Sequence, residues 1–119
     1  MSSRGFRDLQ AWQRAKALAV AIYRLTDTSG FARDFSLRDQ MRRAAISVCS
    51  NLAEGDARQT DKESVQFFFV AKGSLAELSA QLDVALEVHA LPSSEIEKLT
   101  RECEEIAAMI RGLIAHRRP

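Results

Sequence analysis

Proline, glycine, cysteine and histidine are all scarce in this chain of 119 residues, which holds two Pro, five Gly, two Cys and two His. So few helix breakers leave long stretches free to be helical, and no strand-like alternation competes with the helical period. Cys49 and Cys103 form no CxxC pair, and each lies in an amphipathic helical stretch. That excludes a disulfide framework and reads both thiols as small packing groups. The 17 Lys and Arg are balanced by 16 Asp and Glu, a formal net charge of +1, which excludes an arm held to a polyanion by bulk charge. No apolar run approaches the roughly 18 residues of a membrane span, and the amino end, MSSRGFRD, lacks the apolar stretch of a signal peptide. A cytoplasmic protein with no membrane contact is expected.

Reactive constellations are missing as well. His89 and His116 have no Cys, Asp or His neighbour at metal-ligand spacing. No Gly-rich phosphate loop, HExxH or GxSxG occurs, and Ser47, Cys49 and Ser50 have no local base. Glu104 and Glu105 fall on different faces of one helix and read as solvated. No catalytic residue, metal or cofactor is assigned, and the expectation is a protein that is not an enzyme.

What is present is helical pattern. Hydrophobic residues make up 46% and charged residues 28%, an ordinary globular composition, and a single domain over 1–119 is expected. Trp12, Ala15, Leu18, Ala19, Ile22 and Leu25 recur at helical steps in a first segment, about 9–26, with Asp8 as its N-cap. Trp12 and Tyr23 read as core. A second segment, about 37–54, gathers Leu37, Met41, Ala44, Ala45, Val48 and Leu52 on one arc, with Ser36 and Asp39 at its start. The third, about 61–89, opens with the capping box Thr60-x-x-Glu63 and carries Phe68, Ala71, Leu75, Leu78, Leu82, Leu86 and His89. The fourth, about 95–116, follows Pro92 with a second box, Ser94 and Glu97, and repeats Ile96, Leu99, Cys103, Ile106, Ile110 and Leu113. Gly30 and Gly55 fall in junctions, Phe31 and Phe35 are placed over the bundle end, and residues 1–5 are read as loose. The fold class is all-α, an antiparallel up-down-up-down four-helix bundle.

Two faces exceed what a lone bundle needs. Beside the core stripe of the third helix run Val70, Ser74, Glu77, Gln81, Val84 and Val88, and the second helix aligns Arg43, Ser47, Ser50, Asn51 and Glu54 away from its core. A mixed band of this kind is either a solvated surface or a subunit boundary, and its extra aliphatic groups favour a homo-oligomer.

The segment RRAAISVCSNLAEG, Arg42 to Gly55, is the most specific in the chain. With FRDLQAWQRAKALAVAIYRLT and LRDQ before it and AKGSLAEL after it, it resembles the four-helix-bundle family encoded in intervening sequences of bacterial 23S ribosomal RNA genes. The likeness runs from about Phe6 to Leu113. The resemblance implies a homo-oligomer, a pentamer around a central axis, with no established enzymatic activity. It is also related to the accessory variability determinant of diversity-generating retroelements, a basic pentamer that binds nucleic acid and a reverse transcriptase. The motif positions, Arg43, Ser47, Asn51, Glu54 and Gly55 with Gly73, Ser74 and Glu77, are by this resemblance assigned to subunit packing, Arg43 pairing Glu54 or Glu77. Cys49 stands where the family often has proline, Leu52 where isoleucine is usual, and the first connection, GFARDFSL, departs from the common pattern.

Charge is also uneven along the chain: residues 1–62 hold 11 basic and 7 acidic groups, and residues 63–119 hold 6 and 9. Arg7, Arg14, Arg38, Arg42, Arg117 and Arg118 are the candidate nucleic-acid contacts, on an oligomer that repeats a local basic patch. RNA or DNA is one expected partner; the alternative is a protein-interaction scaffold that touches no nucleic acid.

Overall fold

A computed structural model describes residues 5–118. It contains four helices, α1 (Gln10–Thr26), α2 (Phe35–Ala57), α3 (Asp61–Val88) and α4 (Ser93–Arg117), and two short 3-10 turns, Gly5–Asp8 and Phe31–Arg33. No strand occurs among the described residues. The helices pack in cyclic order, α1 on α2, α2 on α3, α3 on α4 and α4 on α1, in a rod of 45 × 24 × 23 Å. Their direction alternates, as three polar ties show. Arg42 Nε near the start of α2 donates to Thr26 Oγ1 at the end of α1 at 2.8 Å; Asp34 before α2 meets His89 after α3; Arg117 at the end of α4 lies beside Asp56 and Asp61.

Burial follows the helical period closely. Ala15, Leu18 and Ile22 of α1, Met41, Val48 and Leu52 of α2, Phe68, Leu75, Leu78 and Leu82 of α3, and Ile96, Ile106 and Ile110 of α4 are all at most 2% exposed. Each stripe therefore faces one shared core, and removal of this apolar area from water is the main stabilising term. Leu113 is only half-buried, because Ile114 takes the last core position of α4, and Leu99 is half-buried as well. Two aromatic residues depart from expectation. Tyr23 is 42% exposed, on the outer side of α1, and Phe35 is 63% exposed, while Phe31 does close the bundle end.

The termini differ from the sequence reading for local reasons. Asp34, not Ser36, caps α2: its Oδ1 accepts the Leu37 N–H, so the helix begins two residues earlier and Ser36 lies inside it. Leu9, with no side-chain cap, precedes α1, because Asp8 ends the preceding 3-10 turn. Thr60 caps α3 as expected, its Oγ1 accepting the Glu63 N–H at 3.2 Å. The Ser94–Glu97 box does not form, since α4 already starts at Ser93 behind Pro92. Gly5 belongs to a 3-10 turn rather than a loose end, and residues 1–4 of that expected loose segment lie outside the described residues.

Gly55 is not a junction residue but part of α2, which continues to Ala57. A Cβ there would lie 2.6 Å from Phe68 Cε1 and 3.1 Å from the Ser64 carbonyl oxygen, and Ser64 Oγ donates to the Gly55 carbonyl at 2.6 Å. The missing side chain lets α2 and α3 approach closely enough for Phe68 to be fully buried. At the other end of α3, Ala90 adopts φ 48° and the Leu91 N–H returns to the Leu86 carbonyl at 3.1 Å. This is a Schellman closure with alanine in the left-handed position that glycine occupies at less cost. Gly55→Ala is expected to lower stability by about 1–3 kcal/mol through overpacking, and Ala90→Gly to raise it by about 1 kcal/mol. Urea unfolding followed by circular dichroism measures both; equal effects of the two variants would contradict this account.

The Asp34–His89 contact, 2.9 Å from Oδ2 to Nε2, sits under a stacked pair in which the His89 and Phe31 rings are 4.3 Å apart. The hydrogen bond to His89 and then the Leu37 N–H hold the Asp34 carboxyl below its ordinary pKa. A depressed carboxyl stabilises the fold above its unfolded pKa, and that contribution is lost as the pH falls through the folded value. Wild-type protein is therefore expected to lose stability more steeply below about pH 4 than Asp34→Asn, which keeps the cap but removes the titration. Parallel acid-unfolding curves for the two proteins would refute this.

Candidate functional site

The residues assigned to a subunit boundary fall along the α2–α3 side, but part of the set is used within the chain. Ser74 is 9% exposed and its Oγ donates to Ser47 Oγ at 2.8 Å. Asn51 Nδ2 donates to the Ser47 carbonyl and to Ser47 Oγ at 2.8 and 3.0 Å. These three side chains thus join α2 to α3 in one polar tie, a role that the outward-facing assignment did not include. Gln81, placed in the same open band, is buried, with its Oε1 unpartnered among the described residues.

Arg43, Glu54, Gly73 and Glu77 are exposed. Glu54 pairs with Arg58 one turn on, at 2.8 Å, and not with Arg43. Within one chain Arg43 and Glu54 stand eleven residues apart, about 16 Å along the helix, beyond ion-pair reach. Neither Arg43 nor Glu77 has an ion pair within the chain among the described residues. Val70, Val84 and Val88 are exposed beside them, Val84 by 52% and Val88 by 62%.

The six candidate arginines do not form one patch. Arg14 is fixed against α4, its Nε donating to Glu102 Oε1 at 2.6 Å and its Nη2 to Glu102 and Glu105. Its charge is balanced there; the bond to Arg14 holds the Glu102 carboxyl below its ordinary pKa, and Glu105, exposed as expected, also pairs with Arg14. Arg42 lies over the Tyr23 ring at 4.6 Å and binds Thr26, and Arg38 binds the Ala32 carbonyl and lies over Phe35, so both belong to the Asp34–His89 end. Arg7, Arg117 and Arg118 belong to the opposite end.

Basic groups line an open cavity beside Tyr23, where Arg42 and Arg43 meet Asp39, and a larger one at this opposite end. A cleft of about 630 Å³ is lined by Asp61, Lys62, Val65, Gln66 and Phe69 from α3 and by His116, Arg117 and Arg118 at the end of α4. Arg118 lies 5.0 Å from the centre of the Phe69 ring, which is 40% exposed. Arg117 lies over Phe68 and beside Asp56 and Asp61, at 3.7 and 3.9 Å, which anchors the cleft wall. Cationic groups beside an accessible aromatic ring suit a phosphate with an attached base. Lys62, Gln66, Phe69 and His116 were not among the sequence candidates. The available signal was topological: in an antiparallel pair the start of the third helix meets the end of the fourth.

Nucleophiles are quiet by comparison. Burial pushes the Cys49 and Cys103 thiols up to about 11, so both are protonated at neutral pH. Among the described residues no group of three or more His, Cys, Asp or Glu side chains is arranged to hold a metal, and no helix is long and apolar enough to cross a membrane.

This architecture has a solved counterpart. The crystal structure of a protein with unknown function, from the S23 ribosomal protein family of Bacteroides thetaiotaomicron, superposes with a TM-score of 0.81 at 17% identity, covering 88% of this chain and 95% of that one. At that identity the likeness shows the fold. No curated protein matches the chain. Residues 7–112 match the family described as 23S rRNA-intervening sequence protein. Since that match takes in all of α1, α2 and α3 and most of α4, the chain belongs to the 23S rRNA-intervening sequence protein family.

Proposed function

We propose that this protein acts by binding rather than by catalysis, as a cytoplasmic homo-oligomer that presents a basic cleft to RNA. The observation that carries the reading is the cleft itself, in which Arg118 lies over the exposed Phe69 and Lys62 and Arg117 share the lining. Phosphate oxygens attract the cations, and an unpaired base has a ring on which to stack. Single-stranded RNA fits this chemistry better than a duplex, whose bases are already stacked. A net charge of +1 limits the grip of one subunit, and repetition around an oligomer multiplies it. The family name links its genes to ribosomal RNA, which makes RNA the first nucleic acid to try, with DNA next.

Self-association has its own support in Arg43 and Glu77, exposed and unpaired within the chain, and in the aliphatic groups beside them. A pentamer is the state that the family resemblance implies. Sedimentation equilibrium at micromolar concentration is expected to give a single oligomer, and Arg43→Glu to shift it toward monomer. A monomeric wild type, or an unchanged assembly in the variant, would count against the role given to Arg43.

For RNA, binding of a labelled single strand is expected to weaken steeply as salt rises. Lys62→Glu with Arg118→Glu should reduce affinity at least about 10-fold and flatten the salt slope by roughly two phosphate contacts. Absence of binding at low salt would leave the scaffold reading, in which the same surfaces engage only protein.

A further inference from the structure

We infer that the groove between α1 and α2 receives the exposed strip of α3 from a second copy of this chain, so that subunits join through two different faces. The inference rests on the proposed self-association and specifies its contact.

Eight large hydrophobic side chains are exposed among the described residues, and six of them fall on these two surfaces. Val20 and Tyr23 of α1 and Ile46 of α2 line the first, with Phe35 on the same face of α2 about three turns beyond it; Val70, Val84 and Val88 lie on the second. The groove holds about 490 Å³ and its lining surface is wholly apolar, made by Trp12, Ala19, Val20, Tyr23, Ile46 and Cys49 with the stems of Lys16 and Arg24. A surface like that in water favours a covering group.

Charge selects the occupant. Lys16 and Arg24 stand at the rim of the groove, and the α3 strip carries Glu77 with Glu87 at its margin. Heights agree too. Ser47 and Ser74 share a hydrogen bond and therefore a level, and the Arg42–Thr26 bond places α1 on the same scale. At about 1.5 Å per residue, Val20, Tyr23 and Ile46 lie within roughly one turn of Gly73 and Glu77. Phe35 then lies about 18 Å toward the Asp34–His89 end, between the levels of Val84 and Val88 at about 15 and 21 Å. Subunits related by rotation about an axis along the rod keep their heights, so each apolar group meets its counterpart.

Gly73 adds an independent reason. It lies in the middle of the longest helix, where glycine is a poor helix former, yet a Cβ there would meet nothing in its own chain. The fold of one subunit makes no demand for it, whereas a neighbour's Tyr23 or Ile46 seated against the helix does. Because the two faces differ, the contact is head-to-tail.

The test uses one variant blocked on each face. Ile46→Asp spoils the groove and Val84→Asp spoils the strip, and both positions are exposed, so circular dichroism should remain that of the wild type. Each variant alone is expected to lose assembly, its apparent dissociation constant rising at least about 30-fold from a charge buried without a partner. Mixed, they should form a one-to-one dimer and nothing larger in native mass spectrometry, because one intact groove meets one intact strip. Wild-type assembly by either variant alone, or a mixture that stays monomeric, would overturn the proposed contact. A wild type that is itself monomeric would overturn the self-association on which it rests.

Discussion

The close approach of α2 to α3 is the constraint on which the rest of the molecule depends. It requires a residue without a side chain at Gly55, so that Phe68 can lie flat against the helix, and it is tied further along by the Ser64 and Ser74 hydroxyls. Small residues on α1 and α2, Ala11, Ala15, Ala19, Ala44 and Ala45, then let the first helix settle on the same core. If α2 stood one or two ångströms farther out, the polar tie of Ser47, Asn51 and Ser74 would open to water. The outward face would lose its geometry with it.

The same approach explains how the polar residues of the motif divide their work. Serine hydroxyls and an asparagine amide are short: the hydroxyls reach only the neighbouring helix of their own chain, and the Asn51 amide only Ser47 one turn back. Arg43 and Glu77 are long and find no intrachain partner, so their charged ends remain in solvent. Among these residues the short side chains hold the bundle together, while Arg43 and Glu77 extend away from it.

Helical period made the fold legible from the sequence. Four segments, their direction and nearly all of the core stripes follow from spacing alone, because burial of an apolar face at 3.6 residues per turn leaves little choice. The ends were less legible. Asp34 and Ser36 are both good caps, and only the packing of Phe31 and His89 over the bundle end selects the first. Gly55 looks like a terminator until its neighbour Phe68 is known. The site was least legible, because linear charge clusters say nothing about which cations meet: Arg14 is consumed by Glu102 and Glu105, eighty-eight and ninety-one residues away. Lys62 and Arg118, fifty-six positions apart, line one cleft.

The His89 end and the Arg118 end are separated by most of a 45 Å rod, and their chemistries differ. One is closed by a stacked aromatic pair with a carboxylate beneath it, the other open and cationic. No small ligand spans that length, so the two ends are separate surfaces. The bundle is in this sense a rod with a direction, one end capped by packed rings and the other by an open cleft.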